Sequence, residues 1–146
     1  MNIAKALVHK NKLVAKLNNT YSKIQKNNST IVGTVVAYDV RKLLSDAGAL
    51  TEELVRLKTA LHVASAPVRD KIFELSEIKS SVKMIQAIST SAGPIRDHYA
   101  RTEGALEYVA VIGEVEKESL ITDAETEIEA LQEALDQFNH TTEVTW

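Results

Sequence analysis

The sequence predicts a mainly α-helical fold: an antiparallel bundle of about four long helices, arranged as helical hairpins, with a small two- or three-stranded β element. Apolar residues recur at alternating spacings of four and three along three segments, and a broader stripe near the 3.6-residue period marks a fourth. Short β-branched runs interrupt the helical segments. Such long, coiled-coil-like stripes exceed what one compact monomer buries, so we expect an oligomer.

Composition narrows the class of protein. The chain has 146 residues, which suits a single helical-bundle domain over 1–146. Hydrophobic residues make up 45% and aromatic residues only 5%, so the core is expected to consist of Leu, Ile, Val and Ala. The absence of cysteine excludes disulfides, thiolate metal ligands and a cysteine nucleophile. No apolar stretch is long enough for a signal peptide or a membrane span, so neither is expected.

Charge is distributed unevenly along the chain. Residues 1–30 contain six lysines and no acid, whereas residues 103–146 contain twelve acids and one base, Lys117. The basic first helix either binds nucleic acid or lies near the acidic last helix, in the same or a neighbouring subunit. Nucleic-acid sites usually combine arginine with aromatic residues. This segment contains no arginine and hardly any aromatic residue. We therefore expect helix pairing and no nucleic-acid partner.

Helix signals and turn signals divide the first half of the chain. The first helix is predicted from about residue 3 to residue 28, where the turn-prone sequence NNST follows. β-branched residues around Gly33 predict a strand over 31–38, and Asp39 is the expected cap of the second helix. The sequence SAP, with Pro67, separates the second helix from the third, and STSAGP ends the third.

The second half contains a further strand and the last helix. A run that is apolar on both faces except at Glu107 predicts a strand over 106–113. The sequence TDAE, Thr122–Glu125, is a capping box, which places the start of the last helix there, after an acidic connector. The β-prone tail is a third strand candidate, over 141–146. The apolar seam expected in the core or between copies comprises Ile3, Leu7, Val14, Leu17, Leu54, Leu57, Leu61, Leu131 and Leu135.

A dense polar patch, Arg96–Glu103, precedes the second strand candidate. Its arginines could hold an anion while Glu103 acts as a general base. Alternatively, the patch is a joint, whose side chains satisfy backbone groups and helix ends where the chain turns from helix to strand. We favour the joint, because no partner motif accompanies the patch. The residues of this joint or ligand site are Arg96, Asp97, His98, Tyr99, Arg101 and Glu103, with Asn139, Thr142 and Glu143 from the tail.

No motif in the sequence indicates catalysis. The four histidines show neither the i, i+4 pair of a metalloprotease helix nor the Glu-x-x-His pair of a di-iron bundle. A glycine-rich phosphate loop and a nucleophile elbow are also missing. A metal held by Asp97, His98 and His140 would require the tail to fold back. We therefore predict no catalytic residue, no metal and no cofactor, hence a non-enzymatic protein.

Several short motifs are shared with a known family. They are AKAL in the first helix, the paired asparagines Asn27 and Asn28, ELVRLKTAL, ELSEIKSSVKMI, Tyr99-x-Arg101-Thr102-Glu103 and Asn139-x-Thr141-Thr142-Glu143. Through their order and spacing, the full chain resembles the septicolysin-like family of small, poorly characterised bacterial proteins. The chain departs from the family at 31–38, where the family is more acidic and loop-like.

This resemblance implies a helical bundle with a small β element that assembles as a closed ring of identical subunits, and it brings no established activity. Relatives also occur in phage genomes, so the expected setting is the bacterial cytoplasm or, if phage-encoded, a virion with other virion proteins as partners. We therefore predict a homo-oligomeric structural or scaffolding protein. One alternative is ligand or metal binding, or an enzymatic site, at Arg96–Glu103. The other is pore formation, although no segment pairs a basic face with Trp or Phe anchors.

Overall fold

The computed structural model describes residues 1–95 and 106–146, which form four α-helices and a two-stranded antiparallel sheet. The prediction of a mainly helical fold with a small β element is therefore confirmed. In chain order the elements are α1 Ile3–Asn27, α2 Val40–Ala64, a 3₁₀ turn Ala66–Val68, α3 Arg69–Gln86, β1 Gly93–Ile95, β2 Leu106–Tyr108 and α4 Glu114–Thr141.

The chain divides into two compact units. Unit 1 comprises Met1–Arg69 and Asp136–Trp146, and unit 2 comprises Asp70–Leu135. The prediction of one domain over 1–146 stays a prediction.

Unit 1 is built on an antiparallel hairpin of α1 and α2. His9 contacts Glu53 near one end of the hairpin, and the Lys23 ammonium lies over the Tyr38 ring near the other. Between these ends the two helices bury a shared aliphatic core, to which the tail adds Val144. The buried members of this core are Ile3, Ala6, Leu13, Leu50, Leu54, Leu57, Leu61 and Val144.

Capping side chains set where these two helices begin. The Asn2 side chain accepts a hydrogen bond from the Lys5 backbone N–H (3.0 Å), so α1 starts at Ile3. Asp39 accepts from the Lys42 backbone N–H (3.1 Å) at the start of α2, which confirms the predicted cap. Pro67 lies in the 3₁₀ turn between α2 and α3, as the sequence predicts. Proline has no backbone N–H, and this is tolerated at the start of a helix because the first N–H groups have no acceptor within the helix.

The apolar seam is predicted well in α2 and less well in α1. Leu54, Leu57 and Leu61 are all buried, as expected. In α1 the predicted Ile3 is buried. The other buried residues of α1 are Ala6 and Leu13, each one position before a predicted residue, and Thr20. The predicted Leu7, Val14 and Leu17 are only partly buried against the core. Spacing alone favours the large aliphatic side chains, whereas burial depends on which face of α1 meets α2. Thr20 is accommodated because its hydroxyl donates to the Lys16 carbonyl (2.9 Å).

The stripes of α1 and α2 are covered within one chain. Ile3 and Leu57 are almost fully buried, and Leu7, Val14 and Leu17 pack against the same core. The expectation that these stripes require other copies for cover is therefore wrong for unit 1.

Unit 2 holds α3 and most of α4 side by side in opposite directions. The Lys79 ammonium donates to the Gln132 side chain (3.3 Å), and the Lys117 ammonium donates to the Ile88 carbonyl (3.0 Å). Leu131 and Leu135, the seam residues predicted in α4, are both buried. Strands β1 and β2 pair with Gly93 opposite Tyr108.

Two of the three predicted strands are absent and the third is shorter. Residues 31–38 form an exposed loop, in which a turn at Gly33 (φ +89°) closes with a Thr34 N–H to Ile31 carbonyl bond (3.0 Å). Strand propensity reflects packing against a partner strand, and 31–38 pairs with no described strand. The candidate over 106–113 reduces to β2, and the tail forms only an isolated bridge between Asn2 and Glu143. The partner of β2 is β1, which the sequence did not indicate.

The predicted capping box at Thr122 is also wrong. Helix α4 begins at Glu114, and Thr122 lies inside it with its hydroxyl donating to the Glu118 carbonyl (2.9 Å). The supposed connector EVEKES is helical, because Glu and Lys are good helix formers and the acids Glu114 and Glu116 suit the positive N-terminal end of a helix.

Candidate functional site

The predicted patch Arg96–Glu103 lies outside the described residues. In the sequence it falls between β1, which ends at Ile95, and β2, which begins at Leu106. Strands therefore flank the patch in the chain on both sides. Both hypotheses, the joint and the ligand site, stay predictions.

The tail of the predicted site is bound to the start of α1 by backbone hydrogen bonds and an ion pair. The Ile3 N–H donates to the Thr142 carbonyl (3.0 Å), and the Val144 N–H donates to the Met1 carbonyl (2.8 Å). The Glu143 carboxylate lies 2.5 Å from the Met1 ammonium. Asn139 is half-buried in the same unit. These contacts hold the tail in place and give it a structural role within unit 1.

Two histidines lie close to this junction. The His9 Nε2 atom is 3.2 Å from a Glu53 carboxylate oxygen, and the His9 ring lies 5.7 Å from the Trp146 ring. The His140 Nδ1 atom is 2.7 Å from the Asp136 carbonyl, which places the Nδ1 proton in that bond. Asn2 donates to the His140 carbonyl (3.0 Å). The polar groups of His9 and His140 named here therefore all have partners within unit 1.

Among the residues that the structure describes, no group of three or more His, Asp or Glu side chains is placed to hold a metal ion. Asp97 and His98, two of the three residues considered for a metal, lie outside this part of the chain. His140 lies in the last turn of α4, and the tail after it folds onto Met1–Ile3.

A concave surface with a volume of about 470 Å³ lies along the first turns of α1. We call it the basic groove, because Lys5 and Lys12 line it and none of its lining residues is acidic. Val8 supplies an apolar floor between the two lysines and is 55% exposed. The residues of the basic groove are Met1, Asn2, Ala4, Lys5, Val8, His9, Lys12 and His140.

A second groove of unit 1, of about 540 Å³, differs in charge. It lies between α1 and α2, where Lys16 and Lys23 share the wall with Asp46 and Glu53. Its two lysines and two acids balance in charge, so of these two grooves the basic groove is the one with an excess of one sign. The signal in the sequence that could have located it is the seven-residue spacing of Lys5 and Lys12 with Val8 between them, which puts all three on one helix face.

A run of exposed apolar side chains extends from β2 to the first turn of α4 in unit 2. We call it the apolar segment, and its members are Leu106, Tyr108, Val109, Val111 and Val115. Val109 and Val111 are 87% and 95% exposed. The sequence predicted a strand here that is covered on both faces or paired at an interface. Within the described chain, however, these apolar side chains are exposed.

In the described ranges, no helix has the length and apolar character needed to cross a membrane. Comparison of the chain with protein-family models, curated proteins and solved structures gives no match. The resemblance to the septicolysin-like family therefore stays a prediction from the motifs.

Proposed function

We propose that the protein is a non-enzymatic structural or scaffolding component that works as a homo-oligomer, with the apolar segment of unit 2 as a contact between copies. The exposure of the apolar segment is the observation that carries this proposal. Five large apolar side chains lie open within ten residues of chain. Exposed apolar side chains scattered singly are normal on a protein surface, whereas several grouped together are typical of interaction sites.

The sheet beside the apolar segment supports the same proposal. Strands β1 and β2 have three residues each, and an isolated two-stranded sheet is marginally stable in water. A strand at the edge of such a sheet has free backbone groups, which can pair with the same strand of another copy. Added strands would extend the sheet and cover Leu106 and Tyr108.

A second copy is the partner that the charges favour. One chain carries both a lysine-rich first helix without acids and an acid-rich last helix. Copies of such a chain attract one another, and symmetric assembly is the commonest form of protein oligomer. The septicolysin-like resemblance adds a closed ring to this proposal, and it adds two settings, the bacterial cytoplasm or a phage particle.

Light scattering on purified protein tests the proposal. We expect a mass that is a multiple of the 16.1 kDa chain at micromolar concentration. The variant Val109→Ser/Val111→Ser should reduce this mass toward that of a monomer while the helical circular dichroism stays unchanged. The control Val32→Ser/Val35→Ser alters two equally exposed valines in the loop of unit 1, and it should assemble like the unaltered protein.

A monomeric unaltered protein at micromolar concentration would overturn the proposal. The two pairs of valines have similar exposure but lie in different parts of the chain. If both variants lost assembly equally, the apolar segment would therefore not be the specific contact between copies.

A further inference from the structure

We infer that the basic groove of one copy receives the acidic first half of α4 from a second copy. This inference rests on the proposed function and names a second contact that would join the subunits, in addition to the apolar segment. The receiving face consists of Lys5, Val8 and Lys12. The entering face consists of Glu116, Leu120 and Asp123.

The receiving face is open and carries unneutralised charge. Lys5, Val8 and Lys12 are spaced by three and then four residues, so they form one stripe along α1, and all three are exposed. Among the described residues of unit 1, none of the six lysines of α1 forms an ion pair. The groove therefore offers two cationic groups about 10 Å apart, at ~1.5 Å of rise per residue, with an apolar side chain between them.

The entering face has the complementary order. Glu116, Leu120 and Asp123 are spaced by four and then three residues, so they also form one exposed stripe. Leu120 is 40% exposed between its two acidic neighbours. The only base in this half of α4 is Lys117. An acid, an apolar side chain and a second acid thus face outward in one line.

The two stripes match when the helices run antiparallel. Lys5 then lies opposite Asp123, Val8 opposite Leu120 and Lys12 opposite Glu116. Reversing the direction of one helix turns its four-three spacing into a three-four spacing, so all three positions meet at once. The contact combines two ion pairs with one apolar pair, and its exposed ion pairs weaken as salt increases.

A charge-exchange experiment tests this contact. One variant carries Lys5→Glu/Lys12→Glu, and the other carries Glu116→Lys/Asp123→Lys. We expect each variant alone to need about tenfold more protein for half-assembly at low salt than the unaltered chain, because like charges now face each other. Mixing the two variants should restore assembly, since the acidic groove of one accepts the basic helix of the other.

Matched controls change the same charges elsewhere. Lys42→Glu/Lys58→Glu alters two exposed lysines of α2, and Glu129→Lys/Glu133→Lys alters two exposed acids on the opposite side of α4. Both controls should assemble like the unaltered chain. If a charge reversal lowers the helical circular dichroism, the neutral pairs Lys5→Gln/Lys12→Gln and Glu116→Gln/Asp123→Asn serve instead. They should weaken assembly and flatten its salt dependence.

The outcomes separate this inference from the proposed function. If the unaltered protein is monomeric, both the inference and the proposed function are overturned. Unaltered protein that assembles, with charge-reversed variants that assemble equally well, removes only the inference. If the mixture stays dissociated while a chain carrying all four changes assembles alone, the contact is within one chain and the inference is also overturned.

Discussion

The α1–α2 hairpin and the apolar segment use the same kinds of side chain in opposite surroundings. Leu57 in the hairpin is fully buried, whereas Val111 in the segment is almost fully exposed. In the hairpin each apolar stripe meets another stripe of the same chain, and the tail closes one end with Val144. The segment begins in a three-residue strand, and among the described residues of unit 2 its side chains are left exposed. The hairpin is therefore expected to be stable by its own contacts, and the segment is expected to need a partner.

The largest expected effect is the loss of a core side chain from the hairpin. Leu57→Ala should lower the free energy of unfolding by about 2–5 kcal/mol, because it removes transfer energy and leaves a cavity. Leu44→Ala, on the exposed side of the same helix, should stay within about 0.5 kcal/mol. Urea unfolding at one fixed protein concentration measures both. Equal losses would mean that α2 is not buried along its predicted seam.

The tail contact is expected to contribute less than the hairpin core. Val144→Ala should cost about 1.5–3 kcal/mol, because Val144 is buried against the start of α1. Val35→Ala, in the exposed loop, is the matched control and should be nearly neutral. Thermal unfolding compares the two variants. A neutral Val144→Ala would show that the tail is not part of the folded unit.

The cap of α2 has a smaller expected effect. Asp39→Ala should cost about 1 kcal/mol, since it leaves the Lys42 backbone N–H without its acceptor. Asp39→Asn keeps an acceptor in the same place and should restore most of that loss. Urea unfolding of the two variants separates the cap from a general effect of charge, which would make Asn as costly as Ala.

The smallest expected effect concerns the start of α4. Thr122→Ala should be neutral or stabilising by up to about 0.5 kcal/mol, because Thr122 lies inside the helix and Ala is the better helix former. If the helix began at Thr122 instead, the same change would remove a cap and cost about 1 kcal/mol. Thermal unfolding of this one variant distinguishes the two starting points of the helix.

Elements with strong local signals were predictable from the sequence. The bounds of α1, the cap at Asp39 and the seam of α2 follow from side-chain types at fixed spacings, and the structure confirms them. The sequence T-x-x-E at Thr122 misled because the same spacing also occurs inside a helix. The strand over 31–38 failed because β-branched residues form a strand only where a partner strand is available.

The candidate site was less predictable than the fold. The spacing of Lys5 and Lys12 in the sequence already puts them on one helix face, but His140 reaches the basic groove because the end of α4 and the tail fold onto the start of α1. Strand β1 has three residues that include Gly93 and Pro94, and both residue types argue against a strand. The pairing with β2 overrides that local signal. The polar patch Arg96–Glu103 stays a prediction.

Hydrogen exchange at micromolar and at submillimolar protein concentration tests the contrast between the hairpin and the apolar segment most directly. We expect backbone amides of residues 106–115 to become better protected as the concentration rises, because other copies then cover them. Amides of the α1–α2 core should be protected equally at both concentrations. Protection of 106–115 that does not change with concentration, or a hairpin core that gains protection only at high concentration, would contradict this account.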